Sequence, residues 1–378
     1  MKRYFVRICA FVLCLMLGAT CAAQADAQHE LQQQIEQIAK KWNAVGVAVA
    51  YVRDGSVVDT FSYGYATRKS EKMTADTDMR TASISKVMVG LATHLSVEKG
   101  LMELDGSLDD YLGFRIRLRH SEDRVTVRSA LMHTSSIDVL AQRPKSYEDI
   151  KVHLTGKSGV LAVKSGDMSH WVYNNYAYYV LGIAVERANG KTMDQILDEA
   201  IEDKLGIDAS FWAGDLKDQS HIASIYNNSH EMTRSKDALR QSHSTGVGTY
   251  GNAFAGSYTA SAHDLGKIVA MLANDGCYEG ERIISESVVS ALEAYEDQPV
   301  PGEMFYQAQP LRYREDMYGR AGLYYHTGSN AGEYNLIIYD PVMRDGVVVL
   351  STGAYGRDAY DIYAVCGDIA ALLLNVQE

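Results

Sequence analysis

Read for where its apolar residues fall, the chain switches between two periods. From Gln28 to Val45, the residues Leu31, Ile35, Ile38 and Trp42 recur at steps of four, three and four, which predicts an amphipathic helix. Gly46 to Val52 is a nearly unbroken apolar run, Asp54-Gly55 has turn chemistry and Ser56 to Thr67 alternates, so a pair of strands joined by a hairpin follows. A long apolar helical run begins near Ser83 and closes at Gly100, and Leu101 to Leu112 reads as a loop with a short acidic element. Thr126 caps a short helix to Met132, and Gln142 to Asp167 is mostly irregular, with one helix near Glu148 to Leu154. The helices Tyr176 to Ala188 and Thr192 to Leu205 stop at Asn189-Gly190 and at Gly206. Residues 207–250 are polar and turn-rich. Helices resume at Leu265 to Ala273, behind the capping box Ser261-x-x-Asp264, and at Glu286 to Tyr295, behind Ser285. The final third turns to strands at Arg320 to His326, Glu333 to Tyr339 and Gly346 to Ser351. A closing helix, Asp358 to Leu374, carries Ile362, Val365, Ile369 and Leu372 on one face.

These elements predict an α+β fold, an antiparallel five-stranded sheet flanked by terminal helices with an inserted, mostly helical domain. The expected division is 1–27 as a signal peptide, 28–80 with 250–378 as a discontinuous sheet domain, and 81–249 as the helical domain. Lys2, Arg3 and Arg7, the apolar run Ile8 to Leu17 and the small residues up to Ala27 are the marks of the signal peptide. That apolar run falls short of the roughly 20 residues a membrane span needs, so no spanning segment is expected after signal removal. A periplasmic or secreted location follows, and Cys21, preceded by Gly18-Ala19-Thr20, is a poor site for a lipid anchor.

Composition adds exclusions. Apolar content of 47% and charged content of 22% are those of an ordinary globular protein and exclude disorder. Removing residues 1–27 takes away three basic residues and Asp26, which carries the formal net charge from −12 to −14. So acidic a surface argues against nucleic acid and anionic membrane as partners, and leaves room for an anionic substrate in a locally basic cleft. Three of the five cysteines lie in the signal region. Cys277 and Cys366 remain, so the chain is no disulfide scaffold, and whether the two pair is open.

Candidate chemistry centres on Ser83-Ile84-Ser85-Lys86. Three residues apart on a helix, Ser83 and Lys86 share a face, and an amine beside a hydroxyl can activate it as a nucleophile. Ser96-Val97-Glu98-Lys99 has the same spacing, but it falls in the last helical turn, where the dipole opposes developing negative charge. Tyr173-Asn174-Asn175 offers a phenol for proton transfer and an amide for orientation, although Tyr226-Asn227-Asn228 and Tyr250-Gly251-Asn252 have the same form. At a predicted strand end, His326-Thr327-Gly328-Ser329 lets a substrate approach the backbone and offers an N–H to an oxyanion. Other chemistries lack their signatures. No Gly-x-Ser-x-Gly elbow occurs, Gly156-Lys157-Ser158 and Gly190-Lys191-Thr192 lack the upstream P-loop glycine, and His230-Glu231 has no second histidine at zinc-protease spacing. The eleven histidines form no metal-ligand cluster, so no metal and no cofactor is implied.

Together the three elements resemble the penicillin-binding and β-lactamase-like serine hydrolases, in the branch holding class C β-lactamases, D-alanyl-D-alanine carboxypeptidases, D-aminopeptidases and esterases. The resemblance runs through Met79 to Lys86, Val97 to Asp105, Val125 to Ser135, Tyr173 to Asn175 with Tyr179 to Gly182, Ala255-Gly256 with Ala262 to Leu265, and His326 to Gly328 with Asp340-Pro341. It implies Ser83 as the acylated nucleophile, Lys86 and Tyr173 as proton shuttles, and Asn175 as the residue that orients a substrate amide. It further implies an oxyanion hole from the N–H groups of Ser83 and Ser329, with Thr327 on a substrate carboxylate beside His326 and Gly328. A second carboxylate contact falls to Arg312, Arg314 or Arg320. The sequence departs from the family pattern at Ser136, where glycine is usual, at Gly256-Ser257, usually a glycine pair, and in the short run from Tyr318-Gly319 to His326. His326 stands where class C β-lactamases carry lysine and where peptidase and esterase relatives carry histidine. The expectation is an exported carboxypeptidase-type acyl-serine hydrolase acting on peptidoglycan-derived peptides. An esterase or D-aminopeptidase, a class C-type β-lactamase and a non-catalytic binding member are the alternatives.

Overall fold

The computed structural model describes residues 25–118, 124–139, 144–156, 164–242 and 246–376. The expected signal segment up to residue 24, with Cys21, lies outside the described residues. Helix α1 spans 25–41, beginning before the expected Gln28 and ending before Val45, because Asn43 takes a left-handed φ of 58° and turns the chain into the first strand. Strands β1 (Gly46–Arg53) and β2 (Ser56–Thr67) form the expected hairpin.

The sheet has eight strands rather than five. To β1 and β2 it adds β3 (Glu71–Lys72), β4 (Tyr306–Gln307), β5 (Arg312–Met317), β6 (Arg320–Asn330), β7 (Glu333–Asp340) and β8 (Asp345–Thr352). Their order is β4-β5-β6-β7-β8-β1-β2-β3, antiparallel throughout. β1 pairs with β8 from Gly46↔Thr352 to Val52↔Gly346, so the two ends of the chain meet in the middle of the sheet. The three unexpected strands are short or charged and lie toward the edges. β5 reads Arg-Tyr-Arg-Glu-Asp-Met, a pattern that hides a strand from an apolar-period reading.

Both faces of the central strands are buried, which is why they read as continuous apolar runs. Val47, Val49 and Tyr51 of β1 face Ile35 and Ala39 of α1, together with Val365, Ile369 and Leu373 of the closing helix Ala364–Leu374. Ala48, Ala50 and Val52 face the other way, toward Leu265, Ile268 and Val269 of helix Ala262–Ala273. The closing helix starts six residues later than Asp358. The Asp358 carboxylate instead accepts from Tyr360 N–H (2.8 Å) and Ile362 N–H (2.9 Å) and holds a loop.

Helix α2 (Ser85–Glu98) is buried on all sides from Ser85 to Ser96, as an apolar all-round sequence requires. It is preceded by a 3₁₀ turn, Ala82–Ile84, that contains Ser83. Helix α3 (Asn175–Asn189) packs against α2. Its cap, Asn174, accepts from Tyr176 N–H at 2.9 Å and Ala177 N–H at 3.1 Å, and Gly190 ends it with φ 65°. The helix expected from Thr192 to Leu205 contains a π-helical stretch at Asp198–Glu202. Cys277 and Cys366 are free thiols. Among the described residues no helix is long and apolar enough to cross a membrane.

Candidate functional site

Ser83 sits in the turn that enters α2, at the end of the helix where unpaired N–H groups and the dipole favour negative charge. The residue before it, Ala82, is held at φ 50°, a left-handed conformation costly for any residue but glycine. Strand β6 holds this turn from the sheet side. A Cβ on Gly328 would lie 2.1 Å from the Thr81 carbonyl oxygen and 3.3 Å from Ser83 N, so only glycine lets the strand come this close. The Thr81 N–H and hydroxyl both donate to Tyr258 O at 2.8 Å, and Ser85 Oγ accepts from Tyr258 N–H at 2.9 Å. The turn is therefore fixed on two sides.

One helical step on, the fully buried Lys86 donates to Ser83 Oγ at 3.2 Å and to Ala255 O at 2.7 Å. Its Nζ lies 4.8 Å from the ring centre of Tyr173, whose hydroxyl hydrogen-bonds with both Lys86 and Ser83. Burial pushes the Tyr173 phenol up. The Lys86 ammonium, those two hydrogen bonds and the Arg312 guanidinium outweigh it and hold the phenol below its ordinary value. Ser83, Lys86 and Tyr173 thus form one connected group, 90 residues apart in sequence at the extremes.

His133 falls within the Val125 to Ser135 stretch of the resemblance. Its ring lies 4.4 Å from that of Tyr173 and 5.2 Å from that of Tyr178. Its Nδ1 accepts from the Asn174 N–H at 3.0 Å, and its carbonyl accepts from Val172 N–H at 3.1 Å. Burial first, then Lys86, His326 and Arg312, drive its pKa well below the ordinary value. A neutral ring that accepts at Nδ1 carries its proton on Nε2, a buried atom with no hydrogen-bond partner among the described residues. His133 clamps the segment that carries Tyr173, and no spacing in the sequence marks it for that work.

His326 is likewise buried, with Nδ1 2.7 Å from Thr327 O. Burial, Arg312 and Lys86 lower its pKa well below the ordinary value, so it is a neutral member of the cluster around Lys86. Thr327 is half-buried and Ser329 is exposed. The strand pairing of β5 with β6 ends at Arg312↔Tyr325, so the outer edge of β6 from His326 to Asn330 has no strand neighbour among the described residues. The structure separates the three arginines. Arg320 is tied to Asp340 (3.3 Å) and Asp345 (3.2 Å), and Arg314 donates to Tyr360 O at 3.0 Å. Arg312 instead lies 5.8 Å from the ring centre of Tyr173 and 4.4 Å from that of Phe305.

A cleft of about 580 Å³ opens at Ser83. Asn175, Ser329, Tyr179, Trp212 and Tyr250 line it, with Arg80, Lys145 and Arg234, whereas Lys86, Tyr173 and His326 do not. Ser257, which stands in place of a glycine, also borders it. The short run noted before His326 is a hairpin whose two-residue turn, Tyr318-Gly319, has positive φ at both positions. Ser136, where glycine is usual, has φ 59°.

A family model described as Beta-lactamase matches residues 31–365. Esterase EstB of Burkholderia gladioli is 27% identical over 293 residues, covering 68% of this chain and 72% of that protein. Among solved structures, the β-lactamase/D-alanine carboxypeptidase from Pseudomonas syringae superposes with a TM-score of 0.73 at 17% identity, covering 93% of this chain and 99% of that one. The octameric penicillin-binding protein homologue from Pyrococcus abyssi gives 0.70 at 21% identity, covering 92% and 76%. At these identities the two structures speak to the fold.

Proposed function

The chain belongs to the β-lactamase family, whose members are serine acyl-hydrolases, and from that premise we propose that Ser83 is acylated by a D-alanyl-D-alanine-type peptide in a carboxypeptidase reaction. The observation that carries the reading is the hydrogen-bonded group of Ser83, Lys86 and Tyr173 at a helix start. Tyr173, kept acidic by Lys86, takes the Ser83 proton as Oγ attacks the carbonyl, and returns it to the leaving amine. The N–H groups of Ser83 and Ser329 receive the oxyanion, each such donor being worth roughly 3 to 4 kcal/mol in the transition state. Asn175 orients the acyl amide, and the free edge of β6 pairs with the peptide. On the leaving side, Thr327 and Arg312 hold the terminal carboxylate, Arg312 being the arginine that faces Tyr173. Export and a periplasmic or secreted location belong to the same proposal, resting on the N-terminal residues.

The test is labelling with a fluorophosphonate or a fluorescent penicillin, followed by an assay of D-alanine release from a cell-wall pentapeptide. Wild type labels and Ser83→Ala does not; a wild type that never labels defeats the hydrolase reading. The 27% identical esterase favours a second reading, in which short acyl esters are the substrates. Ester turnover without D-alanine release would select it.

A further inference from the structure

The cleft that opens at Ser83 has a charge opposite to that of the protein. Arg80, Lys145 and Arg234 line it, and no carboxylate does among the described residues, in a chain of net charge −12. Arg80 is anchored by a hydrogen bond from Nε to Gly256 O at 2.6 Å, and Glu333 lies 3.8 Å behind it. That glutamate is fully buried, neither oxygen has a hydrogen-bond partner among the described residues, and burial pushes its pKa up to about 8. At neutral pH it therefore leaves the Arg80 charge largely uncancelled. Arg234 ends an exposed short strand, Met232–Arg234, and its side chain makes no ion pair or hydrogen bond among the described residues. It lies close enough to Arg80 to join burial in lowering the Arg80 pKa, against the pull of Glu333. Two guanidinium groups that line one cleft, with no carboxylate among its lining residues and their shared neighbour Glu333 held toward its neutral form by burial, favour any anion that reaches both.

The side of the substrate follows from the proton path. Tyr173 and Lys86 do not line this cleft, so a leaving group that takes its proton from Tyr173 departs on the other side of Ser83. The part that stays on Ser83 occupies the cleft, with Asn175 and Ser329. We propose, resting on the acyl-serine reading, that the acyl portion of the substrate carries an anionic group, a carboxylate being the simplest, seated between Arg80 and Arg234 while its apolar body lies against Trp212 and Tyr250. In a peptide substrate this is an acidic side chain or carboxylate on the acyl half, distinct from the terminal carboxylate that leaves.

Two p-nitrophenyl esters test this, one of 4-carboxyphenylacetic acid and one of its neutral 4-carbamoyl analogue, whose rings keep the charge from attacking its own ester. Wild type prefers the charged ester by about tenfold or more in kcat/KM, and Arg234→Gln lowers that ratio by about tenfold, the range of one charge-assisted contact. Equal rates on the two esters, or a ratio untouched by Arg234→Gln, overturn the proposal. Calorimetry on Ser83→Ala separates this failure from that of the hydrolase reading. The probe is 4-carboxyphenylacetamide, with the uncharged diamide as comparison. Binding of the carboxylate but not the diamide, lost when Arg234→Gln is added, sustains the anion subsite even if wild type neither labels nor turns over. Binding indifferent to Arg234 overturns it whether or not Ser83 is reactive.

Discussion

Tyr173 is a residue whose chemistry depends on its surroundings. A phenol titrates near 10 in water, and here Lys86, two hydrogen bonds and Arg312 outweigh burial and move it down. In the proposed mechanism the deprotonated form is the base, so kcat/KM should rise with pH through that depressed value and level above it. Tyr173→Phe should lower kcat by ~10²–10⁴-fold, the usual contribution of a positioned acid–base group, and erase that limb of the pH profile. A variant that kept the same limb would move the titration to another residue. Ser136 makes a different point at the same scale. It is held at φ 59° and its buried Oγ has no partner among the described residues, so Ser136→Gly relieves both penalties. We expect it to stabilise the protein by about 1 kcal/mol in denaturant unfolding, and an unchanged midpoint would refute the strain. The Ser83–Lys86 pair was legible because three-residue spacing on a helix is a geometric statement. His133, Arg80 and Arg234 were not, because their placement is set by contacts from strands and turns far away in sequence.

Two positions on the adjacent strands β6 and β7 show how an element can position chemistry. Gly328 lets β6 touch the Thr81–Ser83 turn, and Gly328→Ala must push strand and turn apart, since its Cβ would sit 2.1 Å from Thr81 O. Phosphonylation of Ser83 by a fluorophosphonate, with loss of fluoride, should slow by roughly a hundredfold, the scale of a 1 Å misplacement, with the far-UV spectrum retained. A variant that labelled at the wild-type rate would show the contact to be dispensable. Glu333, at the start of β7, is protonated in the folded state at pH values where an unfolded glutamate is charged. Its contribution to stability is therefore fully present below the ordinary value of 4.5 and is lost as pH rises through about 8. Between pH 5 and pH 9 the unfolding midpoint of wild type should fall further than that of Glu333→Gln, and parallel slopes would rule the effect out. The sequence marked β6, β7 and β8 as strands but passed over β4 and β5, whose short or charged segments gain strand structure from pairing, β5 with β6 and β4 with β5, rather than from their own pattern.

At the scale of the molecule, the pairing of β1 with β8 ties the two ends of the chain into one sheet, and α1 with the closing helix covers a single face. The terminal helices over a sheet were readable from period alone; the number of strands and the cleft were not, since both depend on which segments meet. This closure predicts that the sheet and its terminal cover open together. Cys366 is a built-in reporter. It lies on the closing helix, is fully buried, and its thiol donates to Tyr334 O of β7 at 3.3 Å, while Cys277 is only half-buried in a short hairpin elsewhere. Burial also pushes the Cys366 thiol up, so it reacts only once released. With a thiol reagent in native buffer, Cys277 should react first. Cys366 should follow at a rate whose denaturant dependence equals that of global unfolding, because the helix cannot leave without exposing Val365, Ile369 and Leu373 and the β1 and β8 side chains beneath them. A much shallower dependence for Cys366 would mean that the closing helix detaches by itself and that the chain ends do not share one cooperative unit.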